Sequence, residues 1–341
     1  MDRNNSEVPL CSKPITVGII YNLKKGIVGK TEDVEAEYDS IDTVTNLKKA
    51  FEGKKHVVKL IEADENLPYK LRDTKIDIAF NIAEGFNGRG REAQVPSLLN
   101  MYKIPYTGSD ETTLAMALDK ALTKRYMSTF GVKTPGYMTV SSIEQLKDFN
   151  LNYPVIVKPN AEGSSKGITS FCVAKNSGEL HSLVQKDLDL YDGSMLIEEF
   201  IVGREFTVGM VGNGSNLKVF PPMEIKYREK SSEFNIYSYE VKKAYLKYIS
   251  YECPAKLEPE QQKAMVTSAE KVFHGLNCYD FCRADFMMDN KGEVYFIECN
   301  PLPGLAKDYS DLPMLAALSG VEYDDLVCTI LNDGIERNFI K

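Results

Sequence analysis

Apolar positions along this chain fall into short runs separated by amphipathic stretches. Ile15 to Tyr21 is one such run, long enough for a buried strand and too short for a buried helix. Ile41, Val44, Leu47 and Phe51 then recur at helical spacing, and Gly53 supplies a stop. His56 to Ile61 and Ile76 to Ile82 read as further strands, the latter ending before Gly85. A helix over Glu92 to Asn100 and a short strand at Ile104 to Tyr106 continue the alternation. Strand–helix alternation of this kind predicts a parallel sheet covered by helices on both faces.

The rhythm changes after Gly108. Asp110 to Phe130 is helical with a bend near Asp119, and Gly131 and Pro135 end it. Ser141-Ser142-Ile143-Glu144 reads as a capping box opening the next helix. Strands follow at Val155 to Lys158, Ile168 to Val173, Met195 to Phe200 and Phe206 to Val211. Pro221 to Tyr251 is long, charged and tyrosine-rich with little periodicity, which predicts a functional loop or lid. Pro259 opens a helix to His274, stopped by Gly275. Strands at Asp280 to Met288 and Glu293 to Asn300 flank the turn Asp289-Asn290-Lys291-Gly292, and helices near Leu312 to Leu318 and Asp324 to Leu331 follow.

Composition narrows the class. The 341 residues are 43% hydrophobic and 26% charged, as in ordinary globular proteins. No apolar run has the length of a membrane span, and Met1 to Pro14 is polar, so a membrane role is not expected and the cytoplasm is the default location. With 49 acidic and 41 basic residues the net charge is −8, which argues against a broad nucleic-acid-binding face. The 7 cysteines are scattered and form no Cys-x-x-Cys. Cys278, Cys282 and Cys299 read as buried apolar thiols, with metal ligation the lesser alternative. Only 3 histidines occur, in ordinary contexts, so triad chemistry is not expected.

Two motifs mislead. Gly26-Ile27-Val28-Gly29-Lys30-Thr31 ends like a phosphate-binding loop, but its glycines stand too close together. Gly88-Arg89-Gly90-Arg91-Glu92-Ala93 satisfies a dinucleotide fingerprint, yet it follows the third strand rather than the first. An NAD-dependent oxidoreductase would rest on that match alone.

The last hairpin carries more chemistry. A two-residue turn would pair Asp289 with Gly292, setting Arg283 opposite Glu298 and Asp285 opposite Phe296. Arg283, Asp285, Glu298 and Asn300 then share one face. Two carboxylates and an amide oxygen suit Mg²⁺, and Arg283 offers a fork for a phosphoryl oxygen. The alternative is an ordinary cross-strand ion pair on a solvated face. Val157-Lys158-Pro159 followed by Glu162-Gly163-Ser164-Ser165-Lys166-Gly167 suits a polyphosphate, or is a plain hairpin loop with a surface lysine. Ile197-Glu198-Glu199-Phe200-Ile201 can offer its backbone to an adenine edge, with Glu205 near a ribose, or is an edge strand with solvated acids.

Together these residues resemble the ATP-grasp superfamily, and within it the D-alanine–D-alanine ligase family. The resemblance runs from about Ile15 to Leu318. It is carried by Phe80-Asn81, Ile104-Pro105-Tyr106-Thr107-Gly108-Ser109, Leu118-Asp119-Lys120, Val157-Lys158-Pro159 with Gly163-Ser164-Ser165, Glu205-Phe206-Thr207-Val208, Arg283-Ala284-Asp285 and Glu298-Cys299-Asn300-Pro301-Leu302-Pro303-Gly304. It implies an α/β and α+β chain, the ATP-grasp fold with an N-terminal parallel-sheet domain. Its implied division is a polar leader over 1–13, an N-terminal unit over 14–116, a central lobe over 117–198 and a C-terminal lobe over 199–341 with a lid at about 221–251.

The roles the resemblance implies are specific. Lys120 and Lys158 hold the α- and β-phosphates of ATP, and Ser164 and Ser165 close over the γ-phosphate. Glu198, Phe200 and Ile201 form the adenine hinge, and Glu205 takes the ribose. Lys242, in Tyr237-Ser238-Tyr239-Glu240-Val241-Lys242, is a third phosphate-binding lysine. Asp285, Glu298 and Asn300 ligate Mg²⁺, two ions in the family, with Mn²⁺ as a substitute. Arg283 and the backbone of Gly304 stabilise a tetrahedral intermediate, and Glu37 anchors the ammonium group of the first substrate. The implied activity joins two amino acids through an acyl phosphate; the alternative is a non-catalytic nucleotide-binding protein that keeps the fold. Small amino-acid substrates are the implied partners, and a homodimer is the family's habit.

The departures gather at the substrate end. Ala83-Glu84-Gly85 stands where the family typically has Leu-His-Gly, and Lys243 where an aromatic residue follows the third lysine. Lys307-Asp308-Tyr309-Ser310-Asp311 replaces a Ser-Leu pair, and Asn22 to Glu35 is a longer loop than the family's.

Overall fold

The computed structural model describes residues 14–27, 31, 33–163, 166–168, 172–228, 234 and 236–339. Its first sheet is parallel. Strands β1 (Thr16–Tyr21), β2 (Val57–Glu62) and β3 (Ile78–Asn81) lie in the order β2-β1-β3. Helices α1 (Ile41–Gly53) and α2 (Leu67–Asp73) make the crossovers, and α3 (Gln94–Tyr102) follows a 3₁₀ turn over Arg91–Ala93. Ser40 caps α1 by accepting from the Thr43 N–H. The expected strand at Ile104 to Tyr106 is not one: a single bridge, Ala79 to Tyr106, is all that forms. Pro105 has no N–H to add to a ladder. The helix α2 has no counterpart in the sequence pattern, because its apolar stripe is only Leu67 and Leu71.

The helical stretch after Gly108 is broken at Asp119 into α4 (Glu111–Leu118) and α5 (Lys120–Ser128). Asp119 is extended, and its carboxylate accepts from the Leu122 N–H at the start of α5. Next come β4 (Tyr137–Val140), β5 (Val155–Pro159), β6 (Val173–Ala174), α6 (Ser177–Leu190) and β7 (Met195–Glu199), forming an antiparallel sheet in the order β4-β7-β5-β6. The capping box falls one residue later than the spacing suggests. Ser142 is the cap, Gln145 its partner, and the element is a 3₁₀ helix over Ile143–Asp148. Of the strand expected over Ile168 to Val173, only Val173 pairs; 169–171 lie outside the described residues.

The third sheet is antiparallel, in the order β11-β10-β8-β12-β13 with β9 on the side of β8. Its strands are β8 (Gly203–Val211), β9 (Lys218–Val219), β10 (Met223–Tyr227), β11 (Ile249–Glu252), β12 (Phe281–Asp289) and β13 (Val294–Asn300). Short helices α7 (Tyr239–Lys243) and α8 (Tyr245–Tyr248) lie between β10 and β11, and α9 (Pro259–Gly275), α10 (Asp311–Leu318) and α11 (Tyr323–Phe339) complete the chain. Among its described residues Pro221 to Tyr251 is therefore largely regular, with paired strands at its ends. Tyr227, Tyr237, Tyr245 and Tyr251 hydrogen-bond to protein partners.

One apolar core spans both ends of the chain. Val17, Ile19, Val44, Phe51 and Phe80 of the first unit pack with Leu312, Leu315, Val327, Ile330 and Leu331 of α10 and α11. The Phe51 and Phe80 rings meet edge-on at 4.8 Å. Each such side chain contributes roughly 1.5–3 kcal/mol by burial. A second core lies between α9 and the inner face of β8, β12 and β13. No helix among the described residues is long and apolar enough to cross a membrane.

Candidate active site

The β12–β13 hairpin decides which side chains can meet. Its loop is three residues long, with Gly292 in the left-handed region (φ 85°), where a non-glycine residue would be strained. Asp289 donates its N–H to the Glu293 carbonyl at 3.0 Å. The pairing expected from a two-residue turn is therefore wrong. Phe286 faces Phe296, and below them Asp285 faces Glu298 and Arg283 faces Asn300. Between these pairs the ladder shifts at Asp285/Phe286, leaving Ile297 as an extra residue in β13. Without that bulge, strict alternation would turn Glu298 and Asn300 towards the second core. With it, Arg283, Asp285, Glu298 and Asn300 share one face, the outcome expected from the sequence reached through a different register.

That face lines a cleft of about 720 Å³ between the second and third sheets. Lys120, Lys158, Glu198, Phe200, Ile201, Glu205, Lys242, Arg283, Asp285, Glu298, Asn300, Gly304 and Glu37 all border it. Ser164 and Ser165 lie outside the described residues.

Two lysines are brought together by one asparagine. Asn160, just past β5, accepts from the Lys120 N–H through its carbonyl (3.1 Å) and from the Ala121 N–H through its side chain (3.0 Å). Its amide also donates to Asp119 at 2.8 Å. The end of β5, which bears Lys158, is thus tied to the start of α5, which bears Lys120. Lys120 donates to the Glu162 carbonyl and stands 3.6 Å from Glu298. Asn160 was not apparent from the sequence.

Glu198 borders the cleft and is paired with two lysines. Its buried carboxylate lies between Lys124 Nζ (2.5 Å) and Lys158 Nζ (3.0 Å). Lys124 is fully buried and also donates to the carbonyl of the bulge residue Ile297 at 2.5 Å. Burial lowers its pKa to about 8 in spite of Glu198. Lys124 was missed, although its spacing of one helical turn from Lys120 places both on one face of α5. Phe200 donates its N–H to the Pro154 carbonyl (2.9 Å), so what it offers the cleft is its ring and carbonyl.

The acids on the hairpin face have opposite environments. Burial alone would raise the Glu298 pKa, but Lys120, Lys158 and Arg283 outweigh it and hold it at about 2. Asp285 is raised by burial despite Arg283. Arg283 grips Asp285 with Nε (3.0 Å) and a terminal nitrogen (2.8 Å), while Thr207 donates to the same carboxylate at 2.6 Å. The other arm of Arg283 reaches Asp311 at 3.2 Å. Asp311, in the first turn of α10, also accepts from Tyr237 (3.3 Å) and Tyr251 (3.2 Å), and Tyr245 donates to the Asp308 carbonyl (2.9 Å). These tyrosines fix the segment bearing Lys242 against the start of α10. Burial lowers the Lys242 pKa despite nearby Asp311. A Cβ on Gly304 would meet Ser310 Oγ at 2.8 Å, so this position has little room for a side chain.

Glu205 has its pKa raised by burial to about 7, although Tyr227 donates to it at 2.8 Å. A raised carboxyl stabilises the fold below its unfolded pKa and loses that contribution as pH rises through the folded value. Glu205→Gln is therefore expected to match the parent near pH 4.5 and to be more stable above pH 7, by about 3 kcal/mol. Thermal melts across pH 4.5–8.5 check this, and a difference that does not grow with pH would refute it.

The two sequence decoys have structural explanations. The N–H groups of Lys25, Gly26 and Ile27 all donate to the Glu35 carboxylate, at 2.8, 2.8 and 3.2 Å, so that nest is filled from within; 28–30 lie outside the described residues. In the second, Arg91 is a buried linker. It binds Glu37 with two nitrogens (2.5 and 3.2 Å) and the Ala161 carbonyl at 2.9 Å. Glu37 also accepts from the Gly163 N–H at 2.7 Å, so both its oxygens are engaged. The sulfurs of Cys278, Cys282 and Cys299 do meet, within 4.8 Å of one another, buried on the core side of the hairpin.

Comparison with known proteins gives a consistent result. Residues 127–332 match the family model for the D-ala D-ala ligase C-terminus. The D-alanine–D-alanine ligase of Carboxydothermus hydrogenoformans is 36% identical over 293 residues, 82% of this chain and 88% of that protein. That of Marinomonas sp. is 34% identical over 274 residues, 79% and 80% of the two chains. The crystal structure of the Bacillus anthracis D-alanine–D-alanine ligase complexed with ATP has the same fold, with TM-score 0.72 at 23% identity over 95% of this chain and 98% of that one. The VanG D-Ala:D-Ser ligase of Enterococcus faecalis also aligns, with TM-score 0.72 at 20% identity over 94% and 100%. The chain belongs to the D-alanine–D-alanine ligase family: it is an ADP-forming ligase of C–N bonds built on the ATP-grasp fold.

Proposed function

We propose that this ligase activates the carboxylate of one amino acid with ATP and joins it to the amine of a second, in the cleft between the second and third sheets. One observation carries the proposal: four cationic side chains and a set of hard oxygen donors converge on that cleft. Lys120, Lys158 and Lys242 would neutralise the phosphates, with Ser164 and Ser165 in the covering loop. Phe200 and Ile201 would border the adenine and Glu205 the ribose. Glu198 would join them at the hinge, and its carboxylate would also position Lys158.

Asp285, Glu298 and Asn300 fit a hard divalent cation such as Mg²⁺, since all three present oxygen on one face. When bound, such an ion supplies positive charge to the phosphates. The chemistry is two displacements. A carboxylate oxygen attacks the γ-phosphorus and ADP departs, leaving an acyl phosphate. The second amine attacks the acyl carbon, loses a proton, and inorganic phosphate leaves. Arg283 and the backbone of Gly304 would stabilise the tetrahedral oxyanion between these events. The segment bearing Lys242 would exclude water from the acyl phosphate.

D-alanine is the acid and amine named for the relatives; here the residues at the substrate end differ, at Glu84, Lys243 and Lys307 to Asp311. An ADP-release screen with Mg-ATP and paired D- and L-amino acids, read with product masses, tests the reading. Amino-acid-dependent ADP and a product one water lighter than its parents are expected. No ADP release with any pair would refute it.

A further inference from the structure

We propose that the end of the cleft bordered by Glu84 and Glu92 receives a positively charged side chain, so that the amino acid activated first carries a second cation besides its α-ammonium group. The inference rests on the ligase reading above and names the class of its first substrate.

The argument starts from how the charges at that end are paired. Glu37, Glu84 and Glu92 all border it. The buried cation beside them, Arg91, already serves Glu37 with two nitrogens, the Ala161 carbonyl, and Glu162 at 3.3 Å. Glu92 is only 7% exposed, yet it has no hydrogen bond or ion pair among the described residues. Glu84 likewise has none. Arg91 and, less strongly, Lys120 lower the Glu92 pKa, but Arg91 is bound to Glu37, and Lys120 is held by the Glu162 carbonyl and faces Glu298, the direction of the proposed phosphates. Burial raises both carboxyls, joined by Glu92 acting on Glu84 and by Glu37 acting on Glu92, and outweighs Arg91; Glu92 rises to about 8. A buried carboxylate without a partner is unfavourable, and a ligand cation removes that penalty.

The carboxyls are held in place rather than loosely exposed. Gly85 is in the left-handed region (φ 78°), and a Cβ there would lie 2.1 Å from the Arg91 carbonyl oxygen. Its N–H donates to Asn22 (3.0 Å), and its carbonyl accepts from Tyr38 (3.3 Å). The residue before it, Glu84, is thereby fixed at the cleft wall. Glu92 is fixed by the 3₁₀ turn of Arg91–Ala93. The three carboxylates face one arginine. Burial holds Glu84 and Glu92 towards the neutral form, and a cation placed beside them favours the ionised form; an α-ammonium group can pair with one of the two. A neutral side chain leaves the other unmatched, whereas an ammonium or guanidinium group matches it.

Trapping the acyl phosphate with hydroxylamine tests this without knowledge of the acceptor. The purified protein with Mg-ATP is offered the D- and L-forms of alanine, 2,3-diaminopropionate, ornithine, lysine and arginine, and hydroxamate and ADP are measured. At least one cationic amino acid is expected to exceed alanine in kcat/KM about 10-fold or more. Glu84→Gln, confirmed folded by its thermal melt, is expected to lower the ratio of cationic to alanine kcat/KM about 10- to 100-fold, a size suited to loss of one buried charge pair. Alanine turning over as well as every cationic amino acid would overturn the inference and leave the ligase reading standing. An unchanged ratio in Glu84→Gln would also overturn it. No hydroxamate and no ADP with any amino acid would overturn the ligase reading itself, and this inference with it.

Discussion

Arg283→Ala is expected to lower turnover about 10³-fold while the protein still binds Mg-ATP. The loss follows from charge that develops only during reaction: removing one preorganised donor to an oxyanion costs roughly 10²–10³-fold. Here the same residue also orients Asp285 and braces Asp311, so the upper end of that range applies. Arg283→Lys keeps the charge and loses the fork, and an intermediate rate is expected. ADP release measures turnover, and equilibrium binding of a non-hydrolysable ATP analogue measures the nucleotide site. Unchanged turnover in Arg283→Ala would remove the central assignment.

Lys124→Met is expected to destabilise the protein by about 3–5 kcal/mol, because it breaks a buried ion pair and leaves Glu198 with one cation in place of two. At this chain length that corresponds to a fall in Tm on the order of 5 °C. Adding Glu198→Gln should recover part of the loss, since a neutral amide suits the site better than a carboxylate short of one partner. The four-way comparison of single and double variants isolates the coupling. Strict additivity would mean that the two residues do not stabilise each other. Glu198→Gln, which takes the carboxylate away from Lys158, is expected to change ATP affinity as well, because the Lys158 side chain loses the partner that orients it.

These residues also mark the limit of what the chain's linear pattern reveals. Strands such as β1 and β8 were legible because they are continuous apolar runs. The break at Asp119 was legible because a capping residue stands between two helical stripes. The hairpin register was not, since it depends on a three-residue loop and on the extra residue Ile297, neither of which alters the apolar pattern. The helix α6 has no counterpart in the sequence reading because its buried face is thin and includes a carboxyl, Asp187. In the site, side chains at strand ends could be named, whereas Asn160, Lys124, Arg91 and Asp311 could not. Each of these acts on a partner distant in sequence, and nothing in its own neighbourhood points to that partner. Glu37 and Glu198 could be named, but not their ion pairs with Arg91, Lys124 and Lys158.

The core shared by β1, β3, α10 and α11 bears on how this protein is made. The first sheet is translated well before the helices α10 and α11 that cover it. At about 5–20 residues per second the wait between β3 and α11 is on the order of 10–50 s. During that time Ile19, Phe51 and Phe80 lack their final neighbours. The N-terminal unit therefore cannot mature as an independent piece during synthesis. Nascent chains stalled before Asp311 should remain open to protease at the first sheet, and a chaperone that shields apolar strands would find its client there.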